Sequence, residues 1–271
     1  MDAASFFGLE RDGRGVWRLP VTRPLCSGMG ALFGGVGLGA SIEAIEADFD
    51  RPVVWATAQF LSFARPPAVV EITVTEIVRG HRNSQVRAVG RVDGEEIFAV
   101  TGAAGRRPGA DEGSWAIRPE VPPPEACPPR PVMPQHRGTL GERIEIRLAD
   151  ARGPEELPGP PGDGRCSLWV RLPDVDIGAA ALSIVGDYVP FGISQALGRR
   201  AGGNSLDNTV RIVRRRSTEW ILADIRVHAI DGGYGHGLVH LWSDDATLLA
   251  TASQSTIVRN WIEEPSDTEV A

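Results

Sequence analysis

The sequence predicts an α+β fold built in tandem, two matching halves that each wrap an antiparallel sheet round a central helix. Three observations carry this. A proline-crowded stretch divides the 271 residues near the middle, one helical stripe is followed by a series of β-like runs on either side of it, and the two sets keep the same order.

In the N-terminal half, Val16 to Leu19 is a short strand signal, and Ala31 to Ala47 carries a helical stripe through Leu32, Val36, Leu38, Ile42 and Ile45. Four runs rich in β-branched residues follow: Val54 to Phe63, Val69 to Val78, Ser84 to Val92 and Glu96 to Thr101. The turn signals Arg65-Pro66-Pro67, Gly80-His81-Arg82-Asn83 and Asp93-Gly94 separate them. Proline removes a backbone donor and fixes φ, so the stretch holding Pro119, Pro122, Pro123, Pro124, Pro128, Pro129, Pro131 and Pro134 reads as a linker. The expected organisation is an N-terminal unit of residues 1–105, a linker of 106–141 and a C-terminal unit of 142–271.

The second unit repeats the order of the first. Strands are expected at Ile144 to Leu148 and Leu168 to Leu172, one helix at Ala179 to Leu197, then strands at Asn208 to Val213, Trp220 to Ala229, Gly235 to Trp242 and Leu248 to Val258. A shift of about 150 residues superposes the elements, with Ile97-Phe98-Ala99-Val100-Thr101 falling on Leu248-Leu249-Ala250-Thr251-Ala252. A helix enclosed by an antiparallel meander is the hotdog arrangement. Each copy leaves a sheet edge unpaired, so edge-to-edge pairing of the copies accounts for the duplication.

Bulk properties narrow the function. Hydrophobic residues at 42% and charged residues at 23% place the chain among ordinary soluble globular proteins. A net charge of −7 disfavours nucleic acid as a partner, because phosphate contacts need clustered cations and the one dense run is Arg214-Arg215-Arg216. Cys26, Cys127 and Cys166 are scattered, with no metal-ligand spacing, and the start Met1-Asp2-Ala3-Ala4-Ser5 has no secretory pattern. A cytoplasmic protein without metal or cofactor is expected.

Several stretches together resemble the acyl-CoA thioesterase II (TesB-like) family of double-hotdog enzymes. They are Phe33-Gly34-Gly35, Phe60 to Pro66, Arg79 to Arg87, Gly186-Asp187, Ser205-Leu206-Asp207, Glu219-Trp220 and Gln254 to Asn260, covering nearly the whole chain outside the linker. The resemblance implies hydrolysis of acyl-CoA to a free fatty acid and coenzyme A, with an Asp, Ser and Gln set that activates water and falls on Asp187, Ser205 and Gln254. Two departures stand out: Val36 replaces a glutamine of the family, and Arg214-Arg215 replaces an Arg-Pro pair.

The residues support that chemistry on their own terms. Asp187 interrupts the apolar run Ala180 to Val185, and Gln254 interrupts a strand of small and apolar residues, each costly unless hydrogen-bonded or functional. At a shift of about 151, Asp187 falls on Val36, Gln254 on Ala103, and Ser205 on or near Ala56, so the polar set belongs to the second half alone. Gly186 is the expected helix-terminus oxyanion position, Asp207 a carboxylate that orients the serine, and Arg214, Arg215 and Arg216 the candidates for coenzyme A phosphates. Structural alternatives stay open: Asp187 as a helix N-cap, Ser205 and Asp207 as the opening of a strand, Gln254 as a core amide, and the arginines as a solvated strand end. The glycines between Gly34 and Gly39 read as close helix-to-sheet packing, and the five histidines receive no role. The competing functions are a non-catalytic acyl-CoA or lipid-binding protein and a hotdog hydratase or dehydratase, which would need a catalytic His. A homo-oligomer is an expectation from the resemblance.

Overall fold

The computed structural model describes residues 1–260, so the end of the expected C-terminal unit, 261–271, lies outside the described residues. The first part runs α1 (Ala3–Phe7), β1 (Glu10–Gly13), β2 (Val16–Val21), α2 (Gly34–Phe49), β3 (Val53–Phe60), β4 (Ala68–Arg79), β5 (Asn83–Val92) and β6 (Glu95–Gly105). After the proline-rich stretch come α3 (Leu140–Arg143), β7 (Glu145–Asp150), β8 (Arg165–Arg171), α4 (Ala179–Gly186), α5 (Val189–Leu197), β9 (Ala201–Ser205), β10 (Asp207–Ile212), β11 (Ile221–Asp231), β12 (Tyr234–Ser243) and β13 (Leu248–Asn260).

Among the described residues all thirteen strands join one antiparallel sheet in the order β1-β2-β4-β5-β6-β3-β10-β13-β12-β11-β8-β7, with β9 on β13. Its centre is the β3–β10 ladder, where Thr57 faces Thr209 and their hydroxyl oxygens lie 2.6 Å apart. β3 of the first part and β10 of the second thus pair edge to edge within the chain. A single apolar core runs from Phe7 and Leu19 through Leu38 and Ile42 to Leu168, Ile225 and Leu241, spanning both parts.

Strand burial follows the side-chain alternation of a sheet with one dry face. In β4, Val70, Ile72 and Val74 point into the core while their neighbours face outward. β11 departs from this, with Ile221 to Ile225 all buried. The reason is a second apolar cluster on the outer face, where Trp169, Trp220, Leu222 and Trp242 meet Cys127 and Val121 of the proline-rich stretch. That stretch is pinned as well as covering: Trp169 Nε1 donates to the Pro122 carbonyl, and Leu148 N–H to that of Pro128.

The helices depart from expectation in one respect that matters for the site. α2 is a continuous helix of 16 residues, but the expected helix at Ala179 to Leu197 is broken at Asp187 and Tyr188. Pro190 is the cause. It has no N–H to give the Gly186 carbonyl four residues back, and its ring crowds that carbonyl, so a continuous helix cannot form there. α2 packs on α4 through glycine: a Cβ on Gly35 would lie 2.7 Å from Ile184 Cα, and one on Gly39 2.9 Å from the Ala180 carbonyl oxygen. These two glycines thus serve helix-to-helix approach, whereas Gly37 faces Phe98 of β6. α1, β1, α3 and β9 have no counterpart in the sequence expectation. Among the described residues no helix is long and apolar enough to cross a membrane.

Candidate active site

The break made by Pro190 exposes the polar backbone between α4 and α5 and places Asp187 in it. Asp187 closes α4 as its C-cap, with its N–H on the Ile184 carbonyl, so it is not the N-cap of its own helix. Its carboxylate instead serves a different helix. The N-cap of α2, Phe33, has no capping side chain, and the N–H of Gly35 in the first turn donates to Asp187 Oδ2 at 2.6 Å. A helix N-terminus carries unpaired N–H groups and a partial positive charge, which suits a buried anion.

The other carboxylate oxygen meets the remaining two residues. Ser205 Oγ donates to Asp187 Oδ1 at 3.1 Å, and Gln254 Nε2 donates to the same oxygen. Gln254 Nε2 also donates to Ser205 Oγ at 3.0 Å, while its Oε1 accepts the N–H of Val189, the first residue of α5, at 3.1 Å. The amide is thus held by the α5 backbone with its nitrogen aimed at the other two. Ser205 ends β9, and the chain steps away from the ladder before β10 begins, which turns its side chain toward Asp187. Asp207 supports that step by accepting the Ser255 N–H at 2.7 Å, and its charge reaches Asp187 without a direct bond.

Burial pushes the Asp187 carboxyl up to about 7, against the lowering influence of Gly35, Ser205 and Gln254. The carboxylate therefore changes charge near neutral pH, the range in which a general base is most effective.

A cavity of about 530 Å³ adjoins the network. Phe33, Phe60, Tyr188 and Phe191 form much of its apolar wall, Asp187 and Ser205 lie on it, and the proline-rich stretch contributes Arg130 and His136. The site consequently draws on all three segments of the chain. Sequence reasoning missed Gly35 because a backbone donor has no side-chain signature, and it left His136 without a role because no partner is near it in sequence. Burial and Arg130 both lower the His136 pKa.

Two expectations need correcting. Gly186 ends α4 rather than beginning a helix, so it cannot supply a helix N-terminus; a Cβ there would lie 2.8 Å from Ala252 Cβ, and close packing on β13 explains the glycine. The helix N-termini on the cavity are those of α2, at Gly34, and of α5, at Tyr188 and Pro190. Arg214, Arg215 and Arg216 pair with Glu112, Glu46 and Asp245 respectively, and none of the three lines the cavity. The strand pairings also differ by one residue from the expected alignment of the two parts. Thr57 faces Thr101 as Thr209 faces Ser253, so Gln254 corresponds to Gly102, one residue from the expected Ala103. Among the described residues no cluster of His, Cys, Asp and Glu is arranged to hold a metal ion.

Residues 124–258 match the family model of the acyl-CoA thioesterase C-terminal domain. No curated protein matches the chain. Among solved structures, a candidate thioesterase from Novosphingobium aromaticivorans is 32% identical, with 93% of this chain and 98% of that one covered and a TM-score of 0.83. A hot-dog-fold protein of unknown function from Alicyclobacillus acidocaldarius shares 22% identity over 96% and 98% of the two chains, with a TM-score of 0.83. An acyl-CoA thioesterase II from Mycobacterium marinum shares 21% identity over 96% and 98%, with a TM-score of 0.73.

Proposed function

The chain belongs to the acyl-CoA thioesterase family, and from that premise we propose that it is of the thioesterase II (TesB-like) type and hydrolyses acyl-CoA thioesters to a free fatty acid and coenzyme A at Asp187, Ser205 and Gln254. In this reading the chain is a double hotdog, with units 1–105 and 142–271 joined by 106–141. The observation that carries the mechanism is the closed hydrogen-bond triangle among those three side chains, brought together from two strands and a helix break.

Asp187 acts as general base. Ser205 Oγ, on the cavity wall, holds a water against its carboxylate while the Gln254 amide fixes both groups from behind, and the water oxygen attacks the thioester carbonyl as its proton passes to Asp187. The N–H of Gly34, at the start of α2 on the cavity wall, is the donor for the developing oxyanion. Collapse of the tetrahedral intermediate breaks the C–S bond, and the proton held by Asp187 goes to the departing sulfur. No covalent acyl-enzyme is needed.

The test is release of free thiol from a panel of acyl-CoAs by the parent, Asp187→Asn and Gln254→Ala. A parent that binds acyl-CoA but releases no thiol at any chain length leaves a binding protein. His136 on the cavity wall supports a second reading, hydration or dehydration of the acyl chain. Water addition to an enoyl-CoA that is lost in His136→Ala and kept in Asp187→Asn would establish it.

A further inference from the structure

We propose that Arg130 recognises an anionic group of the substrate within this cavity, an inference that rests on the acyl-CoA reading above. Arg130 comes from the proline-rich stretch, and its backbone is fixed on β7 by its N–H to the Ile146 carbonyl at 2.8 Å, beside the bridge between Pro129 and Arg147. Its side chain lines the cavity with the guanidinium carbon 5.3 Å from the centroid of the Phe191 ring. Backbone and side chain are thus both held before any ligand arrives, which lowers the ordering cost of binding.

What the guanidinium lacks is an acceptor. Its Nε is buried without a hydrogen-bond partner, and among the described residues no carboxylate pairs with it. Neighbouring arginines differ: Arg143 faces Asp174, Arg147 and Arg171 share Glu145, and Arg152, also on the cavity, gives its guanidinium to the Pro160 and Gln195 carbonyls. The sole acid on the cavity wall among the described residues is Asp187, already held by Gly35, Ser205 and Gln254. A guanidinium on the cavity wall with no acceptor from the protein leaves its donors for a ligand oxygen. The planar fork suits a carboxylate or a phosphate. An acyl-CoA carries phosphates on its coenzyme, and an acyl chain ending in a carboxyl group carries the other.

Three matched substrates separate these sources: octanoyl-CoA, suberyl-CoA, which adds a terminal carboxylate at the same length, and octanoyl-pantetheine, which has no phosphate. Arg130→Met is compared with the parent, and Arg130→Lys keeps the charge while losing the fork. A fall of about 10- to 100-fold in kcat/KM is the expected loss of a charge-assisted hydrogen bond. Confined to suberyl-CoA, it places the acyl carboxylate at Arg130; shared by both CoA esters and absent with the pantetheine ester, it places a phosphate there. A loss equal on all three, or none beyond twofold on any, overturns the proposal. Equilibrium binding of octanoyl-CoA and suberyl-CoA to parent and variants is measured alongside. If the parent hydrolyses nothing yet Arg130→Met weakens binding by the same factor, the hydrolase reading fails and the anion site stands. If neither hydrolysis nor binding responds while the variants melt as the parent does, the anion site is lost.

Discussion

The N–H of Gly35, at the start of α2, donates to Oδ2 of Asp187 at 2.6 Å although 152 residues separate them in the chain. The proposed base is therefore oriented from the opposite half, and its geometry depends on how closely α2 approaches α4. A methyl group at Gly35 would meet backbone atoms, Ile184 Cα and the Ser183 oxygen, both at 2.7 Å. Gly35→Ala is expected to destabilise the fold by about 1–3 kcal/mol, the usual cost of overpacking, and to lower kcat in the fraction that remains folded. Thermal unfolding together with kinetics below the transition checks both.

The raised carboxyl of Asp187 links stability to pH. Between about pH 4 and pH 7 the folded chain holds a proton there that the unfolded chain has released, so this group's contribution falls as pH rises through that window and levels off above it. Its size is on the order of 4 kcal/mol at most. Glu43, also raised to about 7 by burial and then by Glu46 and Asp2, adds in the same direction. Denaturant unfolding at pH 5 and pH 8 is expected to show a smaller loss of stability in Asp187→Asn than in the parent. An equal loss in both would mean that Asp187 does not carry the linkage.

Gln254 joins function to structure through its two ends. Gln254→Ala removes the donor to Asp187 and Ser205 and strands the Val189 N–H, so both kcat and stability should fall, the first by about 10- to 100-fold and the second by about 1–3 kcal/mol. Because the strand carrying it is otherwise well packed, the variant should still fold; circular dichroism and thiol release on one preparation measure the two effects.

Ser205 accepts from Gln254 and donates to Asp187, which fits the proposed role of positioning water. Ser205→Ala should lower kcat by about 10- to 100-fold without abolishing it. Intact-mass analysis of the parent during turnover should show no acylated species; an adduct on Ser205 would replace the water mechanism by a nucleophilic one.

Much of the fold was legible in the sequence because its signals are local. β-branched runs bounded by Asp-Gly and Gly-Gly turns mark β5, β6, β11 and β12 to within a few residues, and the prolines between Pro119 and Pro134 mark a segment outside the sheet. Asp187 stands out because it follows the apolar run Ala180 to Val185 and Gln254 because its strand is otherwise of small and apolar residues, whereas Ser205, between Asn204 and Leu206-Asp207, comes from the family resemblance. What stayed hidden arises in three dimensions. The helix break depends on Pro190 acting on a carbonyl four residues back, the cap on α2 depends on a carboxylate from the other half, and Arg130 becomes part of the cavity when the proline-rich stretch lies down on β7. The run Arg214-Arg215-Arg216 looked like a phosphate site by composition, but Glu112, Glu46 and Asp245 neutralise it.

The most direct test is the pH dependence of thiol release from an acyl-CoA by the parent and by Asp187→Asn. A base with its carboxyl raised to about 7 predicts a parent rate that climbs with pH through neutrality, and an Asn variant lower by about 100- to 10,000-fold with that rise gone. An Asp187→Asn variant that keeps the parent's rate and pH profile would contradict the account at its centre.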